Sequence, residues 1–126
     1  MNAISWFAIP VEDLERARAF YCAIFDYDKM GDLVTPMGTC AIFPFSEEGE
    51  VGGSLNPFMG IKPSTEAGIS VWLNCVEGVQ AVLDRVETAG GKILEERAPI
   101  GENAEFGYIA TLLDTEGNRV GLHAKN

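Results

Sequence analysis

The strongest constraint on the fold is an internal duplication. The segment Ile4-Ser5-Trp6-Phe7-Ala8-Ile9-Pro10-Val11-Glu12-Asp13-Leu14 aligns with Ile69-Ser70-Val71-Trp72-Leu73-Asn74-Cys75-Val76-Glu77-Gly78-Val79 at an offset of 65. Identities fall at Ile4/Ile69, Ser5/Ser70, Val11/Val76 and Glu12/Glu77. Each copy opens with a mostly apolar run that reads as a strand, residues 3–9 and 68–75, and then enters a helix. In the first helix Leu14, Ala17, Tyr21, Ile24 and Phe25 recur at three- and four-residue steps and form one apolar stripe. Asp13 is placed to cap its start, and Asp26 and Asp28 mark its exit. In the second helix Val79, Val82, Leu83 and Val86 make the stripe, and Gly90-Gly91 ends it with a glycine in the left-handed region.

Short strands follow in both copies, at 32–35, 39–45 and 51–56, then at 92–98, 107–113 and 119–124. Turns fall at Pro36-Met37-Gly38, at Ser46-Glu47-Glu48-Gly49, near 99–106 and at Asp114-Thr115-Glu116-Gly117-Asn118. The order is βαβββ twice, in modules of about 1–57 and 67–126 joined by a connector over 58–66. Halves of this size bury too little surface to stand alone. The sequence therefore predicts one α+β domain, with a curved, cup-like mixed sheet and both helices on its outer face.

Charge and composition narrow the partners. Against 9 Lys+Arg stand 19 Asp+Glu, a formal net charge of −10 over 126 residues. Such a surface repels phosphate backbones and anionic lipid, which argues against nucleic-acid and membrane partners and favours the approach of cations. No apolar run approaches the ~18–20 residues of a membrane span. The first positive side chain is Arg16, so no secretory leader is expected. Cys22, Cys40 and Cys75 sit in apolar runs without a CxxC, as expected of buried free thiols in a reducing cytoplasm. Gly52-Gly53 and Gly90-Gly91 make neither a GxGxxG nor a phosphate loop.

Two stretches carry a family resemblance. They are residues 4–21 (Ile4 to Tyr21) and Ala89-Gly90-Gly91-Lys92-Ile93-Leu94 with the later Gly107-Tyr108-Ile109-Ala110 and Leu113 to Leu122. With the duplicated βαβββ order, they make the chain similar to the vicinal oxygen chelate superfamily: glyoxalase I, bleomycin-resistance proteins, extradiol dioxygenases and related lyases and isomerases. The resemblance implies a cup in which His and Glu side chains, from the first and last strands of each module, hold a divalent metal. That metal acts as a Lewis acid on substrate oxygens.

Carried over residue by residue, the ligand position five residues before Val11 is Trp6, and five before Val76 is Val71. The last-strand Glu position is Gly121, just before Leu122. The matching strand of the first copy, Val51-Gly52-Gly53-Ser54-Leu55-Asn56, has neither carboxylate nor imidazole. No metal and no other cofactor are therefore expected.

Strand alternation puts Trp6 and Ala8 on one face and Phe7 and Ile9 on the other. In the implied register Val71 and Leu73 line the wall opposite Trp6, with Tyr108, Gly121 and His123 completing the candidate ligand-binding set. Trp72, of opposite parity to Val71, is expected in the core beneath a helix. His123 reads as a ligand or base, or as a satisfied polar group. Trp6 either stacks on a flat or cationic ligand or plugs the cup. Three functions stay open: a metal-free small-molecule binder, a superfamily enzyme with atypical ligands, and an interaction module with a closed cup. The resemblance further implies a homodimer in which Trp6 of one protomer faces Gly121 of its partner.

Overall fold

A computed structural model describes residues 3–46 and 50–126. The chain runs β1 (Trp6–Pro10), α1 (Leu14–Phe25), β2 (Gly31–Thr35), β3 (Gly38–Ile42), β4 (Gly52–Asn56), β5 (Trp72–Asn74), α2 (Val79–Val86), β6 (Lys92–Pro99), β7 (Tyr108–Leu113) and β8 (Arg119–Ala124). The expected βαβββ order holds in both modules. The expected turn at 46–49 falls largely on Glu47, Glu48 and Gly49, which lie outside the described residues.

The α+β fold is as expected, with one correction to the single sheet. The strands form two four-stranded mixed sheets, ordered β1-β4-β3-β2 and β5-β8-β7-β6, and among the described residues no strand of one pairs with a strand of the other. In each sheet the first and last strands of the module are parallel and the remaining pairs antiparallel. Strand β5 is also shorter than the predicted 68–75, because the connector stays irregular up to Val71.

Local chemistry explains the helices. The Asp13 carboxylate accepts from the Arg16 amide at 3.0 Å and caps α1. At the other end Asp26 sits in the left-handed region, φ 55°, and its amide closes onto the Cys22 carbonyl. The turn after α2 ends at Gly90, φ 103°. Ala17, Phe20, Tyr21 and Ile24 of α1, with Val79, Val82, Leu83 and Val86 of α2, are all buried. They join Ile9, Leu55, Leu73, Leu112 and Leu122 of the sheets in one core.

The modules are joined by the turn at 114–118, which the sequence marks as a simple chain reversal. Glu116 enters the other module with its side chain fully buried. One carboxylate oxygen accepts from the amides of Glu12 and Asp13 at 3.0 and 2.8 Å and from Arg16 Nη2 at 2.9 Å. The other accepts from Arg16 Nε at 2.7 Å and Thr115 Oγ1 at 2.9 Å. Beside it, Asn118 Nδ2 donates to the Pro10 carbonyl at 2.7 Å, and the Tyr21 hydroxyl donates to Asp114 at 2.8 Å. Burial alone would raise the Glu116 carboxyl. The bonds from Arg16, the Asp13 amide, Thr115 and the Glu12 amide outweigh it and hold the group at about 2, below its ordinary 4.5.

A carboxyl depressed on folding stabilises the protein above its unfolded value, and the contribution is lost as pH falls through the folded one. Acid should therefore weaken the protein progressively between about pH 5 and pH 2 through this group. Glu116→Gln keeps the shape but removes the charge, leaving the buried amide donors of the clasp underused, and should cost about 1–3 kcal/mol at neutral pH. Thermal melts of wild type and variant from pH 7 to pH 3 check both statements, because the gap between them should narrow as pH falls.

Candidate functional site

Strands β1 and β5 are each an edge of their sheet, and between them lies a cleft of about 1500 Å³. Its floor and walls include Trp6, Phe7, Ala8, Phe43, Phe45 and Tyr27 from the first module, with Val71, Trp72, Leu73, Asn74 and Arg119 from the second. The connector, from Met59 onward, forms its rim.

The ladder hydrogen bonds fix the correspondence of the modules. Val11 donates to the Asn56 carbonyl as Cys75 donates to that of His123, so Val11 corresponds to Cys75. Three residues separate β1 from α1, but four separate β5 from α2. The 65-residue offset holds for the helices, where Leu14 matches Val79, and is one residue too long for the strands. Because side chains alternate along a strand, that single residue reverses the expected faces of β5. Leu73 is buried in the core and Val71 packs against it, although both still border the cleft. Trp72 is corrected in the same way: it is 47% exposed on the cleft side and not beneath a helix.

Both indoles lie across glycines of a neighbouring strand. Trp6 pairs with Gly52, and a Cβ on that glycine would stand 2.6 Å from Trp6 Cζ3. Trp72 pairs with Gly121, whose added Cβ would meet three indole atoms at 2.6–2.7 Å. Each glycine thus supplies the clearance that lets a ring settle on the sheet. Trp6 is fixed further by its N–H, which donates to Ser54 Oγ at 3.3 Å, and by an edge contact with Phe45 at 5.7 Å between ring centroids. It remains 40% exposed.

The register also identifies the position that the sequence leaves open. Ile9 pairs with Leu55 as Leu73 pairs with Leu122, so Ser54 corresponds to Gly121. Likewise Ser70, and not Val71, corresponds to Trp6. The four positions at which the resemblance implies metal ligands are therefore Trp6, Ser54, Ser70 and Gly121. An indole N–H and a glycine offer a cation no side-chain lone pair, and the serine hydroxyls are weak neutral donors. This set does not fit a divalent metal. Among the described residues no group of three His, Cys, Asp or Glu side chains is placed to hold one.

Of the sequence candidates, Trp6, Ala8, Val71 and Leu73 border the cleft, and Tyr108, Gly121 and His123 do not. Gly121 lies beneath the Trp72 ring. Tyr108 sits under the Arg97 guanidinium, 3.6 Å from the ring centroid. His123 donates from Nε2 to the Phe106 carbonyl at 2.9 Å. Burial pushes the Cys75 thiol up to about 11, despite the opposing bond to His123 backbone, so it is no nucleophile at neutral pH. The sequence misses Trp72 as a member of the site, and Ser54 as the buried partner that holds Trp6. The signal for Trp72 is the length of the turn before α2.

The sequence matches the model of the Glyoxalase/Bleomycin resistance protein/Dioxygenase superfamily over residues 3–122. The chain belongs to that superfamily. Solved structures of the same fold include a glyoxalase/bleomycin resistance protein from Albidiferax ferrireducens, with 19% identity, TM-score 0.70 and 98% of each chain covered. TnmS3, an antibiotic-binding protein from a Streptomyces species, has 22% identity and TM-score 0.66, over 98% of this chain and 96% of its own. A glyoxalase I variant from Zea mays has 22% identity and TM-score 0.68, over 95% of this chain, which spans 45% of its length. No curated protein matches the sequence.

The packing of ring on glycine makes a prediction. Gly121→Ala should lift the Trp72 indole off β8 and cost about 1–3 kcal/mol. Near-UV circular dichroism and a melt would show the change. Gly31→Ala, where an added Cβ meets nothing within 4 Å, should alter neither.

Proposed function

We propose that this protein binds a small planar aromatic molecule, preferably cationic, in the cleft between β1 and β5 without a metal. One observation carries the reading: two half-exposed indoles, each seated on a glycine of its own sheet, open onto one cleft. A flat indole with one face packed and the other free is a stacking platform, worth about 1–3 kcal/mol per ring against an aromatic partner. A positive charge on the ligand adds cation–π attraction and is drawn in by the net charge of −10. The donor set at the superfamily's ligand positions supports binding without an ion. The antibiotic-binding description of TnmS3 is consistent with the same use of the fold.

Titration with 9-aminoacridine, a planar cation, should quench tryptophan emission with saturation. Trp6→Ala and Trp72→Ala should each weaken binding roughly tenfold, the effect of losing one stacking face. In the same buffer, EDTA-treated protein given Ni, Zn, Mn, Co or Fe(II) should melt at an unchanged temperature. A ligand at 100 times its dissociation constant would add ~2.7 kcal/mol, several degrees for a domain of this size. A shift with one metal would overturn the metal-free reading. The resemblance also carries the homodimer, which sedimentation at micromolar concentration would reveal as a species of twice the chain mass.

A further inference from the structure

The connector between the modules is tied down at one end and loose beyond it. Its first turn is anchored: the Phe58 amide donates to Asn56 Oδ1 at 3.1 Å, and the Phe58 ring fills the space above Gly38. Gly60 and Gly68 then stand at φ +73° and +117°, and an added Cβ at either would meet no atom within 4 Å. Both are in backbone conformations that glycine adopts freely and with nothing packed against them. Between them, Ser64 Oγ accepts from the amides of Glu66 and Ala67 at 3.2 and 3.1 Å, a turn internal to the segment. Among the described residues one hydrogen bond ties residues 59–70 to the body, from Thr65 Oγ1 to the Gly117 carbonyl at 3.1 Å.

What the segment carries is apolar and turned out. Ile61 and Ile69 border the same cleft as the two indoles, yet they are 63% and 96% exposed. Exposed aliphatic side chains on the same open cleft as exposed rings leave a hydrophobic contact unmade. An occupant bridging that space would let both surfaces leave water together. We propose that residues 59–70 form a strap that folds over the cleft's occupant, hinging at Gly60 and Gly68 about the Thr65–Gly117 latch, with Ile61 on the moving span and Ile69, beside the second hinge, as its inner surface. This inference rests on the aromatic-ligand reading above and adds the element that retains the ligand. Closing should slow dissociation more than it speeds association, since the strap contacts the ligand only after it has entered.

Stopped-flow tryptophan quenching with 9-aminoacridine tests the strap on the full chain. The double variant Ile61→Ser/Ile69→Ser changes side chains exposed in the free protein, so its melting temperature without ligand should equal that of wild type. Its dissociation rate should rise about tenfold, with an association rate within twofold. In wild type, hydrogen exchange of amides 61–69 should slow when 9-aminoacridine is bound. Dissociation at the wild-type rate together with unaltered exchange would overturn the strap while leaving the indole site intact. A variant that instead shifts the sedimentation of the free protein would overturn it too, by placing Ile61 and Ile69 in contact with a second copy. Failure of wild type to bind 9-aminoacridine at all would remove the aromatic-ligand reading, and the strap with it.

Discussion

The carboxylate of Glu116 is the contact on which the arrangement of the two modules depends. It leaves a turn of the second module and ends at the N-terminus of α1 in the first, where amides and the Arg16 guanidinium surround it. A helix N-terminus presents unpaired N–H groups and a partial positive charge, and a buried anion satisfies both. Its neighbours Asp114 and Asn118 extend the joint to Tyr21 and to the end of β1. No strand pairing joins the sheets among the described residues, so polar contacts at this turn and the shared core set the spacing of β1 from β5. That spacing is the width of the cleft. Stability and site geometry are thereby coupled through one titratable group.

The superfamily's fold appears here with its metal positions given to other chemistry. Where the resemblance implies a strand ligand and its partner, Trp6 and Ser54 bond to each other. The exchange turns a position suited to a charged ion into one suited to a π-face. Small residues beside the rings matter as much as the rings. A side chain at position 52 or 121 would hold the indole away from the sheet and leave it without a fixed orientation.

Much of the fold was legible in the sequence, because periodicity reports which residues face a core. The stripes of both helices, the capping Asp13 and the order of elements follow from spacing and are present. The division of the strands into two sheets was not legible: strand patterns specify an inward face but not whether two edges meet. The inter-module clasp was hidden for a similar reason. Glu116 sits amid turn residues whose chemistry accounts for a chain reversal, and nothing local shows that its carboxylate is buried against residues a hundred positions away. At the site, Trp6 and Ala8 were placed on their face by alternation, whereas the second module was read one residue out of register. The duplicated Ile-Ser and Val-Glu pairs gave an offset that fits the helix start but not the strand before it.

That extra residue in the turn before α2 has a consequence for how the copies of a duplicated protein are compared. The turn absorbs it: β5 keeps the register of β1, with Leu73 inward as Ile9 is and Trp72 outward at the position of Ala8, while the helix keeps its own stripe. Strand and helix are thus each equivalent between the copies, yet no single offset aligns both. In proteins built from repeats, the offset of each element therefore has to be fixed separately before the positions that line a shared pocket can be matched.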